Sequence, residues 1–410
     1  MSLEMTEEMI GRIPSCVTEL MELLRRAGHR GYLVGGSLRD LLRGKTPHDF
    51  DMTTDATPEE MLQIFEGLRV IPTGLKHGTV TVLMEGEPIE VTTHRVDGDY
   101  LDSRRPESVS FTRQLSEDLS RRDFTVNAMA FEPEIGLVDL FGGREDLQRG
   151  IIRAVGEPQK RFTEDALRIL RAFRFSAQLD FEIEASTLAA AAACREGLLH
   201  ISAERIFSEI TRLLESPAVT RGLEALFAAG CEKYVFFDSV LKMTDWKTLC
   251  ELPREAPLRL AFLLAEGSVE QARILCRRWH SSNAFCDRVC GILSAIRAPL
   301  PQNEYEARRF VCGAWHSFSD ALALREAMGE NVGEVRKICN TVAKNGTAVE
   351  IRRLAVNGRE LQEKTGVRPE KTGALLLRLQ DLVWQEPKHN KKVKLLELAA
   401  AIVAAEEDFR

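Results

Sequence analysis

The chain has 410 residues, enough for more than one domain. Its 44% hydrophobic and 29% charged content is that of a globular protein, and no apolar run approaches the roughly 18 residues that would suggest a membrane span. A formal charge of −7 argues against a uniformly basic nucleic-acid binder but not against a local basic groove. The start, MSLEMTEEMIGRIPS, is acidic and lacks an apolar signal core, which points to a cytoplasmic protein with no membrane association. The nine cysteines contain no C-x2-C pair; an odd number in a chain this long reads as buried free thiols, with Cys286 and Cys290 on one helix face.

In chain order, Arg30-Gly31-Tyr32-Leu33-Val34 reads as a strand ending in Gly35-Gly36. Ser37 to Leu42 then looks helical, and Gly44 stops it. Phe50 and Met52 flank two aspartates as apolar partners. Thr57 as N-cap, Pro58 at the first helical position and Glu60 two further on open a helix to about Phe65. Residues 78–84 and 88–93, separated at Gly86, read as a hairpin. The texture changes near residue 145. Beyond residue 160 the pattern is almost wholly helical: a helix capped by Thr163 and running through Phe175, then apolar-periodic stretches over about 186–217, 221–229, 255–296, 303–327, 331–344 and 373–384. The expected architecture is a small α/β head followed by an elongated helical remainder.

The most informative feature is Asp49 and Asp51, two apart in His48-Asp49-Phe50-Asp51-Met52. On a strand, period two puts both carboxylates on one face, where they repel unless a cation lies between them. The expected cation is Mg²⁺. Gly35-Gly36-Ser37-Leu38-Arg39 just upstream follows a strand and opens a helix, so backbone N–H groups and Arg39 can receive a phosphate. The spacing is neither a dinucleotide fingerprint nor a Walker loop. Taken alone it also fits a plain tight turn. Glu90, between apolar Ile89 and Val91 in the hairpin, points to water or to a site; in a strand beside the aspartates it would supply a third carboxylate. Three carboxylates around two metals suit attack of a hydroxyl on the α-phosphorus of a nucleoside triphosphate.

Arginine is clustered, at Arg104-Arg105, Arg121-Arg122, Lys160-Arg161 and Arg168/Arg171/Arg174, with a basic segment, Lys388-His389-Asn390-Lys391-Lys392-Val393-Lys394, far downstream. Asp165, Arg168, Arg171 and Arg174 recur every three residues, a slanting stripe along a helix beside Leu167, Leu170 and Phe173, and Glu164 can pair with Arg168. Such a stripe is either a solvated face or an anion site. As a site it has a specific use. A carboxylate accepting from an exocyclic amino group and an arginine donating to a ring nitrogen fit both cytosine and adenine. Uracil and guanine present the reverse order and leave partners unpaired.

Together these stretches resemble one family. LVGGSLRDLLRG, HDFDMTTDATPEE, GLKHGTVTV, IEVTTHR, YLDSRRPESVSF, EDLSRRDFTVNAMA, DLFGGREDLQRGIIRAVGEPQKRF and EDALRILRAFRF, and less closely ISAERIFSEI, are similar to the class II tRNA nucleotidyltransferases, the CCA-adding enzymes, which share a superfamily with bacterial poly(A) polymerases. The resemblance implies a polymerase-beta-like head and an all-α neck, body and tail, divided here as residues 1–145, 146–210, 211–345 and 346–410. It implies metal-binding Asp49 and Asp51 with Glu90 as third carboxylate. Gly36, Arg39, Arg122, Arg171 and Arg174 would line the nucleotide pocket, and Asp165 and Arg168 would select the base. CTP and ATP would be the substrates, Mg²⁺ the cofactor, and the 3′ end, acceptor and T-arm of tRNA the partner of a monomer. The stretch VNGRELQEKTGVRPEKTGALLLRLQDLV, with Asn390 and Leu395-Leu396, resembles the family's C-terminal region, although Glu370-Lys371 stands where Pro-Gly is more usual. Full CCA addition, A-addition alone and CC-addition alone compete within the resemblance, with poly(A) synthesis behind them. Residues 95–111, which CC-only relatives shorten, are present in full. From another class, a catalytically dead RNA-binding protein competes, and the intact carboxylate set counts against it.

Overall fold

The computed structural model describes residues 7–98, 109–242, 245–314, 317–406 and 409. Most of the segment 95–111, including Arg104-Arg105-Pro106, lies outside the described residues, as does His316. The chain divides into two compact units, one ending at Asp238 and the other beginning at Ser239.

The first unit opens with α1 (Glu7–Ile10), α2 (Ser15–Arg26), β1 (Gly31–Val34), α3 (Gly35–Leu42), β2 (Asp51–Thr54), α4 (Pro58–Ile64) and β3 (Arg69–Gly74). It continues through β4 (Thr79–Met84), β5 (Glu87–Thr93), β6 (Arg95–Asp97), β7 (Val109–Phe111), α5 (Leu115–Ser120), β8 (Met129–Glu132), β9 (Gly136–Asp139) and α6 (Gly143–Arg149). A mostly helical part follows: β10 (Ile151–Ile152), α7 (Pro158–Glu164), α8 (Leu167–Leu179), β11 (Glu182–Ile183), α9 (Ala185–Ala193), α10 (Ala203–Leu214), α11 (Val219–Ala228) and α12 (Glu232–Val235).

Seven strands form one mixed sheet in the order β3-β4-β5-β2-β1-β8-β9. β1 lies inside it, paired on both edges, so all four of its residues are buried. The apolar stripe of α2 (Cys16, Val17, Leu20, Met21, Leu24) is buried, and α2 comes so close to β1 that a Cβ on Gly31 would stand 2.7 Å from Leu24 Cδ1. The expected hairpin is β4–β5, and its turn uses Glu85 and Gly86 at φ 54° and 90°, the two left-handed residues of a tight two-residue turn. The expected capping box at Thr57 and Glu60 is formed, with Pro58 first in α4. β2 and β5 run parallel, and their register sets Asp51 opposite Glu90.

Three local expectations are corrected. α3 starts at Gly35 rather than Ser37, with the glycines in its first turn. β2 starts at Asp51, so Asp49 stands in the bend before the strand and not at a strand position. Thr163 does not cap a helix running to Phe175. The helix breaks at Asp165, whose backbone is extended (φ −138°, ψ 103°), and the Asp165 carboxylate accepts the Leu167 N–H at the start of α8. An Asp at the head of a helix satisfies an otherwise orphaned donor, so the break costs little.

Ten α-helices, from Trp246–Glu251 to Lys392–Ala405, make up the regular structure of the second unit apart from short 3₁₀ turns, among the described residues. Its last three helices, Gly358–Thr365, Pro369–Gln385 and Lys392–Ala405, share a core of Leu361, Leu375, Leu379, Val383, Leu395 and Ala399. Asn390 ties this part together by accepting the Ala355 N–H and donating to the Arg353 carbonyl. All nine cysteines are free thiols, and five are buried; Cys250 is exposed, against the expectation for that residue.

Candidate active site

The turn from β1 into α3 brings Gly35 to φ 71°, a conformation that favours glycine. A Cβ there would lie 3.6 Å from Arg122 Nη1 and 3.8 Å from Asp51 Oδ2, so the bare backbone lets these two groups sit beside the helix start. They face a cavity of about 910 Å³ in the first unit. Gly35, Gly36, Arg39, Asp49 and Asp51 line it, together with Arg121, Arg122, Asp123, Asp165, Arg168, Arg171, Arg174 and Arg205. Nine of the ten site residues expected from sequence therefore meet around one space.

The tenth, Glu90, is the register partner of Asp51, but its side chain is exposed and does not line the cavity. Among the described residues no three His, Cys, Asp or Glu side chains converge closely enough to hold one ion. The electrostatics still tie Glu90 to the pair. Burial, then Asp49, then Glu90 push the Asp51 carboxyl up to about 6, against a small opposing pull from Arg122. Hard oxygen donors under mutual repulsion suit Mg²⁺, so Asp49 and Asp51 fit the expected cation, with Glu90 in the adjoining strand.

The guanidinium groups are held in place by acids behind them. Arg171 donates from Nε to Asp123 Oδ2 at 2.7 Å. Burial favours protonation of Asp123, but Arg171 above all outweighs it and holds the carboxyl at about 2. Arg174 pairs with Glu209 at 2.6 Å, both nearly fully buried, and also donates to Gln178. Arg39 donates to Asp40 and to Asn127 Oδ1. The Arg39, Arg171 and Arg174 guanidiniums lie 5.5, 5.2 and 4.1 Å from the centre of the Phe175 ring, whose π face favours cations crowded around it.

At Asp165 and Arg168 the pairing is only partial. Asp165 Oδ1 accepts from Leu167 N, and Oδ2 accepts from Arg205 at 3.1 Å; each oxygen keeps a second lone pair. Arg168 donates through Nη1 to Glu164, as expected, and to the Arg161 carbonyl, and through Nη2 to the Arg121 carbonyl at 2.9 Å. These three bonds leave the Nε–H and one Nη2–H of its five donors. Arg205, Glu209, Asn127 and Gln178 were not singled out from sequence. Arg205 and Glu209 stand one turn apart in ISAERIFSEI, the stretch whose weaker resemblance was the available signal. No sequence pattern linked them to partners 40 and 35 residues away.

Carboxylates for a hard cation, guanidiniums for a polyanion and a half-satisfied Asp–Arg pair for a base edge suit one class of protein, the nucleotidyltransferases. Comparison with known proteins agrees. Residues 31–153 match the family described as "Poly A polymerase head domain", residues 180–238 the "Probable RNA and SrmB- binding site of polymerase A", and residues 253–399 the "tRNA nucleotidyltransferase domain 2 putative". A CCA-adding enzyme of Streptococcus gordonii is 43% identical over 68% of this chain and 70% of its own length. One from Pediococcus pentosaceus is 35% identical over 92% and 95%. The crystal structure of the Bacillus stearothermophilus CCA-adding enzyme in complex with CTP is 31% identical, with a TM-score of 0.77 over 95% of this chain and 98% of that one. The chain belongs to the family of CCA-adding enzymes, the bacterial tRNA nucleotidyltransferases.

Proposed function

We propose that this chain adds C, C and A in turn to the 3′ end of tRNA from CTP and ATP, choosing each base with protein side chains. The observation that carries the proposal is the shared cavity. It places Asp49 and Asp51 together with Asp165 and Arg168, and with arginines suited to a triphosphate. In this reading the first N–H groups of α3 at Gly36, with Arg39, Arg122, Arg171 and Arg174, hold the phosphates. Asp165 accepts from the amino group of cytosine or adenine, and Arg168 gives one of its remaining N–H groups to the ring nitrogen. Pinned guanidiniums lose little rotamer freedom on binding, which favours both affinity and geometry.

Asp49 and Asp51 would hold Mg²⁺, with Glu90 as a further carboxylate. When bound, the metal supplies activation of the attacking ribose hydroxyl and charge stabilisation at the triphosphate. The residues divide the work by function: a catalytic head at 1–145, a nucleotide-selecting neck at 146–210, a body at 211–345 and a tRNA-binding tail at 346–410. The tRNA would be gripped by shape along its acceptor and T-arm. In this reading the chain works as a cytoplasmic monomer; separately, no helix among the described residues is long and apolar enough to cross a membrane.

The test is extension, at single-nucleotide resolution, of tRNAs ending at the discriminator base, in C and in CC, with Mg²⁺ and CTP and ATP given separately and together. Extension of all three to CCA and no further is expected. Extension of only the CC-ending tRNA, by one A, would make the chain an A-adding specialist and overturn the proposal.

A further inference from the structure

Asp118, in α5, lines no part of the cavity, yet its carboxylate is fully buried and accepts from three residues that do, Arg95, Arg121 and Arg122. Its Oδ1 accepts from Arg121 at 3.0 Å through Nε and 2.6 Å through Nη2, and from the Arg95 N–H at 3.4 Å. Its Oδ2 accepts from Arg122 Nη2 at 3.1 Å and from the Thr53 hydroxyl at 3.4 Å. Thr53 stands two residues after Asp51 in β2, so the two side chains share one face of that strand. Burial favours protonation of Asp118, but Arg122 and Arg121 outweigh it and hold the carboxyl at about 2, so the group is charged at any working pH.

Two branches leave this one carboxylate. The first runs through Arg122, whose Nη1 stands 3.6 Å from where a Cβ on Gly35 would lie and whose charge acts on Asp51. The second runs through Arg121. With its side chain clamped, its main-chain carbonyl is fixed at the C-terminal end of α5, where it accepts from Arg168 Nη2 at 2.9 Å. The neighbouring Ser120 carbonyl accepts from Arg161 at 3.2 Å. Carbonyls at a helix end lack intrahelical donors and carry partial negative charge, so they are natural anchors for guanidiniums.

We propose that Asp118 is a positioning residue that sets both the phosphate-facing Arg122 and, through the Arg121 carbonyl, the base-facing Arg168. This rests on the function proposed above. A defect here affects nucleotide affinity and base choice together, although Asp118 touches neither. Removing its charge leaves two guanidiniums facing one another without a counter-ion, and Arg121 and Arg122 then turn away from their present places.

The test uses the full-length enzyme with Asp118→Asn, which keeps the shape and loses the charge, and with Thr53→Val, which removes the hydroxyl and its contacts to Asp118, His94 and the Thr92 carbonyl. Folding is followed by circular dichroism, and KM, kcat and the ratio of kcat/KM for CTP over UTP are measured on a tRNA lacking CCA. For Asp118→Asn, KM for CTP should rise and the CTP/UTP ratio fall, each by about tenfold or more, with a smaller change in kcat. Thr53→Val should shift both in the same direction by about two- to fivefold. A folded Asp118→Asn enzyme with wild-type KM and wild-type discrimination overturns the inference, as does a loss confined to kcat. Should Asp118→Asn not fold, unchanged KM and discrimination in Thr53→Val overturn it instead. A wild-type enzyme that adds no C would overturn the functional proposal, and this inference with it.

Discussion

At Asp51, burial and two neighbouring carboxylates act on one side chain, and the position leaves little freedom for replacement. Asp51→Ala should reduce transfer of every nucleotide by at least about 10³-fold while tRNA binding is kept, because what is lost is charge at the reacting centre and not RNA contact. Primer-extension rates and gel-shift affinities on one tRNA check this; substantial residual Mg²⁺-dependent activity would remove Asp51 from the metal site. Arg168→Ala should lower discrimination against UTP by roughly tenfold or more and change tRNA affinity little, read as the CTP/UTP ratio of kcat/KM. At this scale the sequence was legible wherever the signal was local. Glu90 was legible as a strand residue because the β4–β5 turn carries a glycine where left-handed backbone is needed, but its place opposite Asp51 comes from the parallel pairing of β5 with β2, which no local turn sets. Of the acids behind the arginines, Glu164 was legible four residues before Arg168, but those drawn from other elements were not. Asp118 and Glu209 look like ordinary surface carboxylates in one dimension, and only the packing of α5 and α10 buries them.

Among the elements, α8 carries the densest share of the site, and α11 packs on it through Gly222. A Cβ at that glycine would meet the Phe173 carbonyl at 2.5 Å and Ala177 Cβ at 2.9 Å, so the two helices approach backbone to side chain. Gly222→Ala should therefore cost about 1–3 kcal/mol by overpacking and raise KM for CTP through displacement of α8, despite the better helix propensity of alanine. Thermal melts and nucleotide titrations check both; a more stable protein would show that the helices separate freely. The start of α8 also shows where sequence reading stopped. Thr163 to Phe175 contains no glycine or proline, so a single helix was the natural reading. Arg205 from α10 and the self-capping carboxylate of Asp165 hold the break open, and the first of these is tertiary.

For the molecule as a whole, acid should reach the fold first at His94. Its ring is 1% exposed, and its Nδ1 lies 2.8 Å from the Thr53 hydroxyl. Burial, only partly offset by Asp118 and Asp55, and reinforced by Arg122 and Arg121, pushes the imidazole down to about 4. An unfolded histidine titrates near about 6.5. Between those values the unfolded chain takes up the proton more readily. The stability that depends on His94 is therefore fullest above about pH 6.5 and is lost toward pH 4, by about 3 kcal/mol, while Asp51, raised to about 6, acts in the opposite sense over the same range. Asp118, held low, adds a second loss only as pH falls below about 3.8 toward about 2. His94→Gln cannot gain that proton, so the gap between wild-type and variant melting temperatures should narrow on going from about pH 7 to pH 4.5. A constant gap would mean that burial does not set this titration.

The parallel pairing of β2 with β5 also decides where the gene can absorb a change in length. Along β5, Ile89 and Val91 are buried while Glu90 between them faces out, opposite Asp51. One codon added within the Glu85-Gly86 turn lengthens a surface loop and leaves every pairing downstream as it was. One codon added between Glu87 and Ile89 exchanges the two faces of the strand. It would bury a carboxylate, expose the core and remove Glu90 from Asp51 in a single event. Length variants recovered from a random insertion library should accordingly crowd into the turn and leave the strand three residues away empty.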